Sequence, residues 1–233
     1  MPDLTLTEEE RMLQTTVREF VDREMAPRAI EVDRAEEFSW ENWHGMAGLG
    51  LMGIGIDSEY GGNGSGGYRH VAIVAEEIAR GDASASVGLL AHLSLGTTTI
   101  AWFGNDEQKK RFVPSLATGK GVAAWALTEP GGGSDAAAMR TTATERDGTY
   151  FLNGSKTFIT NARVAESIVV FATQDVSKGH RGISAFVVEK DSPGLQINPL
   201  HGKLGIRAST TDEVVFQDTP VPARNLLGEE GKG

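Results

Sequence analysis

The sequence of 233 residues contains no cysteine, so disulfides, thiolate metal sites and cysteine nucleophiles are all excluded. That absence fits a reducing compartment. Basic residues are in deficit, 22 Lys and Arg against 32 Asp and Glu, for a net charge of -10. Nucleic acids and anionic membranes are recognised by basic surfaces, so neither is an expected partner. No apolar run approaches the roughly 20 residues that span a bilayer. The opening Met1 to Glu10 lacks the basic and apolar regions of a secretory signal and the arginines of a transit peptide. We expect a cytoplasmic protein, or one of the mitochondrial matrix in a eukaryotic source.

Other familiar chemistries are missing too. The five histidines, His44, His70, His92, His180 and His201, form no H-E-x-x-H and no other close ligand pair, against a zinc site. There is no G-x-S-x-G elbow and no Walker A loop. Two formal G-x-G-x-x-G matches, Gly48 to Gly53 and Gly62 to Gly67, lack the strand before and helix after that a dinucleotide fold requires. We read both as accidents of a glycine-rich chain.

What is present changes period near residue 120. Thr7 and Glu10 form a capping box, followed by Met12, Leu13, Val17, Phe20, Val21 and Met25 at helical spacing up to Pro27. Ser39 caps a second helix, with Gly48 or Gly50 as its stop. A third spans Tyr68 to Arg80, small residues suit close packing over Ala83 to Thr99, and Asp106 is expected to cap Glu107 to Leu116. Beyond Gly121 short runs rich in Val, Ile, Phe and Thr predict strands: Val122 to Leu127, Arg140 to Glu145, Thr149 to Leu152, Lys156 to Thr160, Ser167 to Thr173, Ile183 to Glu189 and Glu213 to Gln217. Asp147-Gly148 and Asn153-Gly154 supply two-residue hairpin turns. Helices first and strands second imply an α+β multidomain chain: a helical domain over 1–120, then an antiparallel barrel or sandwich over 121–233.

The most informative stretch is Ala126-Leu127-Thr128-Glu129-Pro130-Gly131-Gly132-Gly133-Ser134-Asp135. Alone it reads as a Pro-Gly turn leaving a strand. With hydroxyls on both sides and three glycines to free the backbone, it can also aim N–H and O–H donors at one electron-rich ligand. Downstream stands Lys156-Thr157-Phe158-Ile159-Thr160-Asn161, where Phe158 alone reads as core and Thr160 as an ordinary strand residue.

Together these two segments resemble the flavin-binding signature of the acyl-CoA dehydrogenase family. So do Glu59-Tyr60-Gly61-Gly62-Asn63-Gly64, Phe103-Gly104-Asn105-Asp106-Glu107-Gln108-Lys109 and Leu204-Gly205-Ile206-Arg207-Ala208-Ser209-Thr210-Thr211. The resemblance implies a helical N-terminal domain, a β-barrel-like middle domain and a C-terminal helical bundle. It implies FAD along Trp125, Ala126, Leu127, Thr128, Gly131, Gly132, Gly133 and Ser134, and against Phe158, Ile159 and Thr160. By the same resemblance Thr128 bonds the flavin's pyrimidine end, Phe158 packs on the ring and Thr160 lies near N5. Ser134 also faces the pantetheine arm of an acyl-CoA substrate. The family more often has Trp at Phe158, and a small residue between two glycines at Gly132.

The implied reaction is α,β-dehydrogenation of a CoA thioester in fatty acid metabolism, with an electron-transfer flavoprotein-like acceptor and a homo-oligomer, usually a tetramer. Family relatives that are flavin oxidases or monooxygenases offer an alternative chemistry, and a non-catalytic module offers a third. The family's catalytic glutamate comes from the bundle or its first helix, so we expect no catalytic residue here and place the base beyond Gly233, in a chain that stops where the bundle would begin. Glu229 and Glu230, in a Gly-rich tail with nothing evident to hold it, are expected to be poor substitutes. Lys178, His180 and Arg181 form a small basic cluster suited to a phosphate, or else a solvated turn.

Overall fold

The computed structural model describes residues 5–233; Met1 to Leu4, the start of the stretch read for targeting signals, lie outside them. Helix α1 (Glu8–Phe20) opens on the expected box: Thr7 Oγ1 accepts from the Glu10 N–H at 3.2 Å, and Glu10 Oε2 accepts from the Thr7 N–H at 2.9 Å. The helical path does not end at Pro27. It runs through a π-turn (Val21–Met25) and a 3-10 turn (Ala26–Arg28) into α2 (Ala29–Ala35). Pro27 sits in the opening of a new turn, where its missing N–H breaks no bond.

Helix α3 (Trp40–Gly48) is capped by Ser39 as expected, and Gly50 follows in the left-handed region at φ 75°. Helix α4 (Tyr68–Gly81) is joined by Asp82 to α5 (Ala83–Leu90), a π segment (Ala91–Thr97) and α6 (Thr98–Phe103). The last three form one helix of 21 residues, Ala83–Phe103, which is long and apolar enough to cross a membrane. This corrects the expectation that no run approaches that length: Gly, Ser and Thr dilute the apolar residues in the sequence, yet the stretch carries no charged residue and is apolar on average. Half of its most apolar stretch is buried within the protein, as in a core helix. Helix α7 (Asp106–Ala117) is capped by Asn105 and not by Asp106. Asn105 Oδ1 accepts from the Gln108 N–H and Gln108 Oε1 from the Asn105 N–H, both at 2.9 Å, which leaves Asp106 in the first turn beside the dipole's positive end.

The second half is one eight-stranded sheet. Its strands are β1 (Ala123–Ala126), β2 (Thr142–Arg146), β3 (Thr149–Thr160), β4 (Ser167–Thr173), β5 (Ile183–Glu189), β6 (Leu195–Pro199), β7 (Thr211–Pro222) and β8 (Leu226–Leu227). The order is β6-β7-β3-β2-β4-β5-β8, with β1 pairing β4. The pairing is mostly antiparallel, but β4 pairs in parallel with both β1 and β2, and the ends at β6 and β8 do not close on each other. Asp147 and Gly148 both lie at positive φ, 50° and 77°, as the expected hairpin requires.

Asn153-Gly154 is not a turn. It lies inside the continuous β3, at a register shift opposite β7, with Gly154 at φ 142°. The Asn153 side chain explains the difference: its Oδ1 accepts from the Asp218 N–H and its Nδ2 donates to Asp218 Oδ1, each at 2.9 Å, so a cross-strand bond pair takes the place of the local turn. A Cβ on Gly154 would stand 2.8 Å from Thr141.

Strand β1 joins the two halves by its alternation. Ala123 and Trp125 face the helical core, while Ala124 and Ala126 face a second core with Ile168, Val170 and Phe186. The Gly96 face of the long helix lies so close to β1 that a Cβ there would meet the Ala123 Cβ at 2.5 Å. Trp43 Nε1 donates to the Gly119 carbonyl at 2.9 Å, and Arg207, beyond β6, bonds Asp33 in α2 through its backbone N–H and Nε at 3.0 Å. The strand that leads to the glycine loop is therefore clamped from the helical side.

Candidate functional site

Strand β1 ends at Ala126 and releases the chain into the glycine loop. Glu129 and Gly132 exchange N–H···O bonds in both directions, each at 3.1 Å, closing a turn over Pro130 and Gly131. The loop borders a hollow of about 480 Å³ lined by Leu127, Gly131 to Gly133, Met139, Thr141 and Gly154 among others.

None of Gly131, Gly132 and Gly133 occupies the left-handed region, so backbone freedom is not what selects them. Packing does not select them either. A Cβ on Gly131 would meet nothing within 4 Å, on Gly132 only the Asp135 carbonyl at 3.8 Å, and on Gly133 the Thr128 methyl at 3.5 Å. The protein has room for side chains that the sequence omits, which fits a surface kept bare so that a ligand can approach the backbone. Among the described residues no acceptor takes the N–H of Thr128, Gly131, Gly133 or Ser134. A hollow bordered by glycines that carry no Cβ, with the free N–H groups of Gly131 and Gly133 on it, suits an electron-rich cofactor, and in this respect the residues present fit FAD.

The loop is fastened to β3 by Lys156, whose side chain is fully buried. Its Nζ donates to the Leu127 carbonyl at 3.0 Å and to Glu129 Oε1 at 2.8 Å. Glu129 also accepts the backbone N–H groups of Arg140 at 2.7 Å and Thr141 at 2.8 Å. Burial pushes the Glu129 carboxyl up, but the Lys156 ammonium and these two N–H donors outweigh it and hold Glu129 below its ordinary range. Burial pulls Lys156 below the usual lysine range, against the opposing pull of Glu129. Next along, the Thr157 N–H donates to the Thr128 carbonyl at 2.8 Å, so the two segments singled out in the sequence are in direct contact.

Between Lys156 and Ile159 the pairing of β3 with β7 slips again. Phe158 sits in the slip at φ 59° with 68% of its surface exposed. A bulky residue in that region is strained, and strain of this kind is retained where something else uses the displayed side chain. Asn161 follows at φ 68°, buried, donating through Nδ2 to the Gly88 carbonyl at 2.8 Å.

The predicted residues are thus only partly brought together. Leu127 and Gly131 to Gly133 share one hollow; Thr128 does not line it, although its methyl is 3.5 Å from where a Cβ on Gly133 would stand. Ser134 is exposed and Thr160 half-buried. Trp125 is half-buried and lines a separate apolar hollow of about 220 Å³ with Thr99, Phe103, Phe171 and Leu227, its ring 5.0 Å edge-on to that of Phe171. Ala126 and Ile159 turn their side chains into the core at 0% and 2% exposure, leaving only their backbone for any ligand. Lys156 and Glu129 stand inside the quoted motifs, yet their pairing was not read. A charged pair 27 residues apart has no local pattern, although a lysine amid strand residues that otherwise alternate inward was a usable signal.

The tail is not free, contrary to expectation. Tyr150 donates its hydroxyl to Glu230 Oε2 at 3.2 Å, the Gly231 N–H donates to Ser184 Oγ at 2.8 Å and the Gly233 N–H to the Ile183 carbonyl at 2.8 Å. Glu229 pairs with Lys232 at 2.7 Å. Sequence could not show this because the holding groups come from β3 and β5. In the basic cluster, Lys178 lies 3.7 Å from Asp175, which competes with an anion for its charge.

Residues 7–120 match the family described as acyl-CoA dehydrogenase, N-terminal domain, and residues 124–219 the family described as acyl-CoA dehydrogenase, middle domain. The chain is 43% identical over 228 residues to an acyl-CoA dehydrogenase of Bacillus subtilis (strain 168), covering 98% of this chain and 60% of that protein. The structure of butyryl-CoA dehydrogenase from Megasphaera elsdenii superposes with a TM-score of 0.94 at 40% identity, over 99% of this chain and 61% of the other. A glutaryl-CoA dehydrogenase from Mycobacterium smegmatis in complex with FADH2 superposes at 0.90 with 33% identity, over 97% and 57%. The chain therefore spans about three-fifths of the length of the relatives it matches. Its matches run in order through both halves, and the chain belongs to the acyl-CoA dehydrogenase family.

Proposed function

We propose that the protein carrying this chain is an FAD-dependent acyl-CoA dehydrogenase and that these residues supply its flavin-binding part, a helical domain over 1–120 and a β domain over 121–233. The observation that carries this reading is the bare glycine loop, which borders a hollow with space for side chains and open N–H donors, bonded at Thr128 to the segment that displays the strained, exposed Phe158. Bound FAD would supply the two-electron acceptor for hydride from the substrate's β-carbon. Thr128 would donate toward the flavin's pyrimidine end through its free N–H, Phe158 would offer its ring as a stacking face, and Thr160 would serve the N5 side. Ser134, exposed at the end of the loop, hydrogen-bonds the pantetheine arm of the acyl-CoA.

General-base work goes to a carboxylate outside these 233 residues. Within the loop Glu129 is committed to Lys156 and two backbone donors, and in the tail Glu229 and Glu230 are engaged with Lys232 and Tyr150. A general base must first be placed at the proton it removes. We place the reaction in the cytoplasm, or the mitochondrial matrix of a eukaryotic source, with electrons passing to a flavoprotein acceptor.

The test is anaerobic titration of the purified full-length protein, loaded with FAD, with acyl-CoA thioesters of graded length. Bleaching of the flavin band by a thioester, with turnover supported by an artificial acceptor and little oxygen consumption, is the expected result. Failure to bind FAD, or a flavin that no thioester reduces, overturns the reading.

A further inference from the structure

The fully buried ammonium of Lys156 has no place in the assignments above, and its geometry is unusual for a group that only staples a loop. The Leu127 carbonyl that it bonds belongs to the same peptide unit as the Thr128 N–H. The next carbonyl, that of Thr128, is taken by the Thr157 N–H at 2.8 Å. Thr128 is thereby held on both sides, while its own N–H is left without an acceptor among the described residues. A cation on a peptide's oxygen draws electron density from the amide and makes the N–H at the other end a stronger donor, and in a low-dielectric surrounding this polarisation is not screened by water. Glu129 anchors the ammonium at 2.8 Å and is itself fixed by Arg140 and Thr141, so the cation's position is set by four bonds from three separate stretches of chain.

We propose that Lys156 is a positioning and polarising residue for the flavin: through the Leu127–Thr128 peptide it orients and strengthens the Thr128 N–H as a donor to the cofactor's pyrimidine edge, and so favours the reduced flavin, which carries more negative charge there. This rests on the flavin reading given under the proposed function. Preorganised donors aimed at the place where charge develops stabilise that charge without reorganisation. Glu129 makes the arrangement tolerable, because an unpaired buried ammonium would otherwise be costly. Lys156 touches no substrate or cofactor atom in this scheme; its effect passes through a backbone amide.

The experiment uses the full-length holoprotein and compares wild type with Lys156→Met, Lys156→Arg and the double variant Glu129→Gln/Lys156→Met. Lys156→Met leaves a buried carboxylate facing a methyl group and can fail to fold for that reason alone. The double variant removes both charges and keeps the volume, which buried ion pairs commonly tolerate. The readouts are the FAD dissociation constant of the apoprotein and the midpoint potential of bound flavin, neither of which needs turnover.

We expect the double variant to bind reduced FAD about tenfold more weakly relative to oxidised FAD, which is a fall of about 30 mV for a two-electron couple. The visible spectrum of the oxidised flavin should shift as well. A double variant that folds and keeps the wild-type potential and spectrum overturns the role of Lys156 while leaving the flavin reading intact. A wild-type protein that binds no FAD overturns both. A potential that falls equally in Lys156→Arg, which keeps the charge, assigns the effect to loop geometry and overturns the polarising role.

Discussion

His92 Nδ1 accepts the backbone N–H of Ala123 at 2.9 Å, which ties the middle of the long core helix to the first residue of β1. The acceptor role fixes the tautomer: the proton is on Nε2, which faces the Leu116 carbonyl at 3.2 Å. Trp43 closes the ring edge-on at 4.9 Å, and the imidazole is fully buried. Burial drives its pKa down to about 3, with the Leu116 bond opposing weakly. A buried neutral histidine at the junction of helices and sheet makes stability depend on pH. The unfolded chain takes up a proton below about 6.5, whereas the folded protein resists until about 3. The contribution is therefore complete above pH 6.5 and is lost as the pH falls through that window. Urea melts should show His92 alone accounting for about 2–3 kcal/mol of the loss between pH 7 and 4.5. A variant His92→Gln with the wild-type pH slope would contradict this.

Gly131→Ala separates the demands of the fold from those of a ligand. With nothing within 4 Å of the added Cβ and no left-handed φ to strain, the apoprotein should keep its stability within about 0.5 kcal/mol. Affinity for FAD should fall by roughly tenfold if the cofactor approaches the loop backbone, a loss of about 1.4 kcal/mol. Calorimetric titration of the apoprotein decides it, and equal affinity would remove Gly131 from the site.

Phe158→Gly should behave in the opposite sense to most large-to-small changes. The ring is exposed, so little burial is lost, and the backbone at φ 59° costs a non-glycine residue about 1 kcal/mol. Set against the entropy that glycine adds to the unfolded chain, about 0.5–1 kcal/mol, the apoprotein should be unchanged or slightly stabilised. Flavin affinity should drop. Thermal melts showing a large loss of apoprotein stability would mean that Phe158 serves the fold.

Gly96→Ala tests the contact of helix with strand. Its Cβ would lie 2.5 Å from the Ala123 Cβ and 3.3 Å from the Ala124 carbonyl, neither of which can move without shifting β1. Destabilisation of about 1–3 kcal/mol is expected from overpacking of this kind. Because β1 leads into the glycine loop, flavin affinity should decline with it, and a wild-type melting curve would refute the close approach.

Much of the architecture was legible. Capping at Thr7 and Ser39, the ends of β4 and β5 and the Asp147-Gly148 hairpin rest on local chemistry that acts over a few residues. The misreadings came where a distant partner overrode a local signal. Asn153-Gly154 looks like a turn until Asp218 takes up the Asn153 side chain, and β8 is two residues that pair only because β5 offers an edge. Asp106 looked like a cap, but Asn105 and Gln108 form a reciprocal pair one residue earlier.

The sequence by itself determined the change from helical to strand period and, through two quoted motifs, the family. Both follow from residue types at short spacing, which survive without a fold. Tertiary structure alone decided how the glycine loop is held, that Ala126 and Ile159 face inward, and that Phe158 is displayed on a strained backbone. It alone brought Lys156 under Leu127 and Glu129. Those outcomes depend on strand register and on burial, and a register is set by pairing between segments tens of residues apart, which no local pattern encodes.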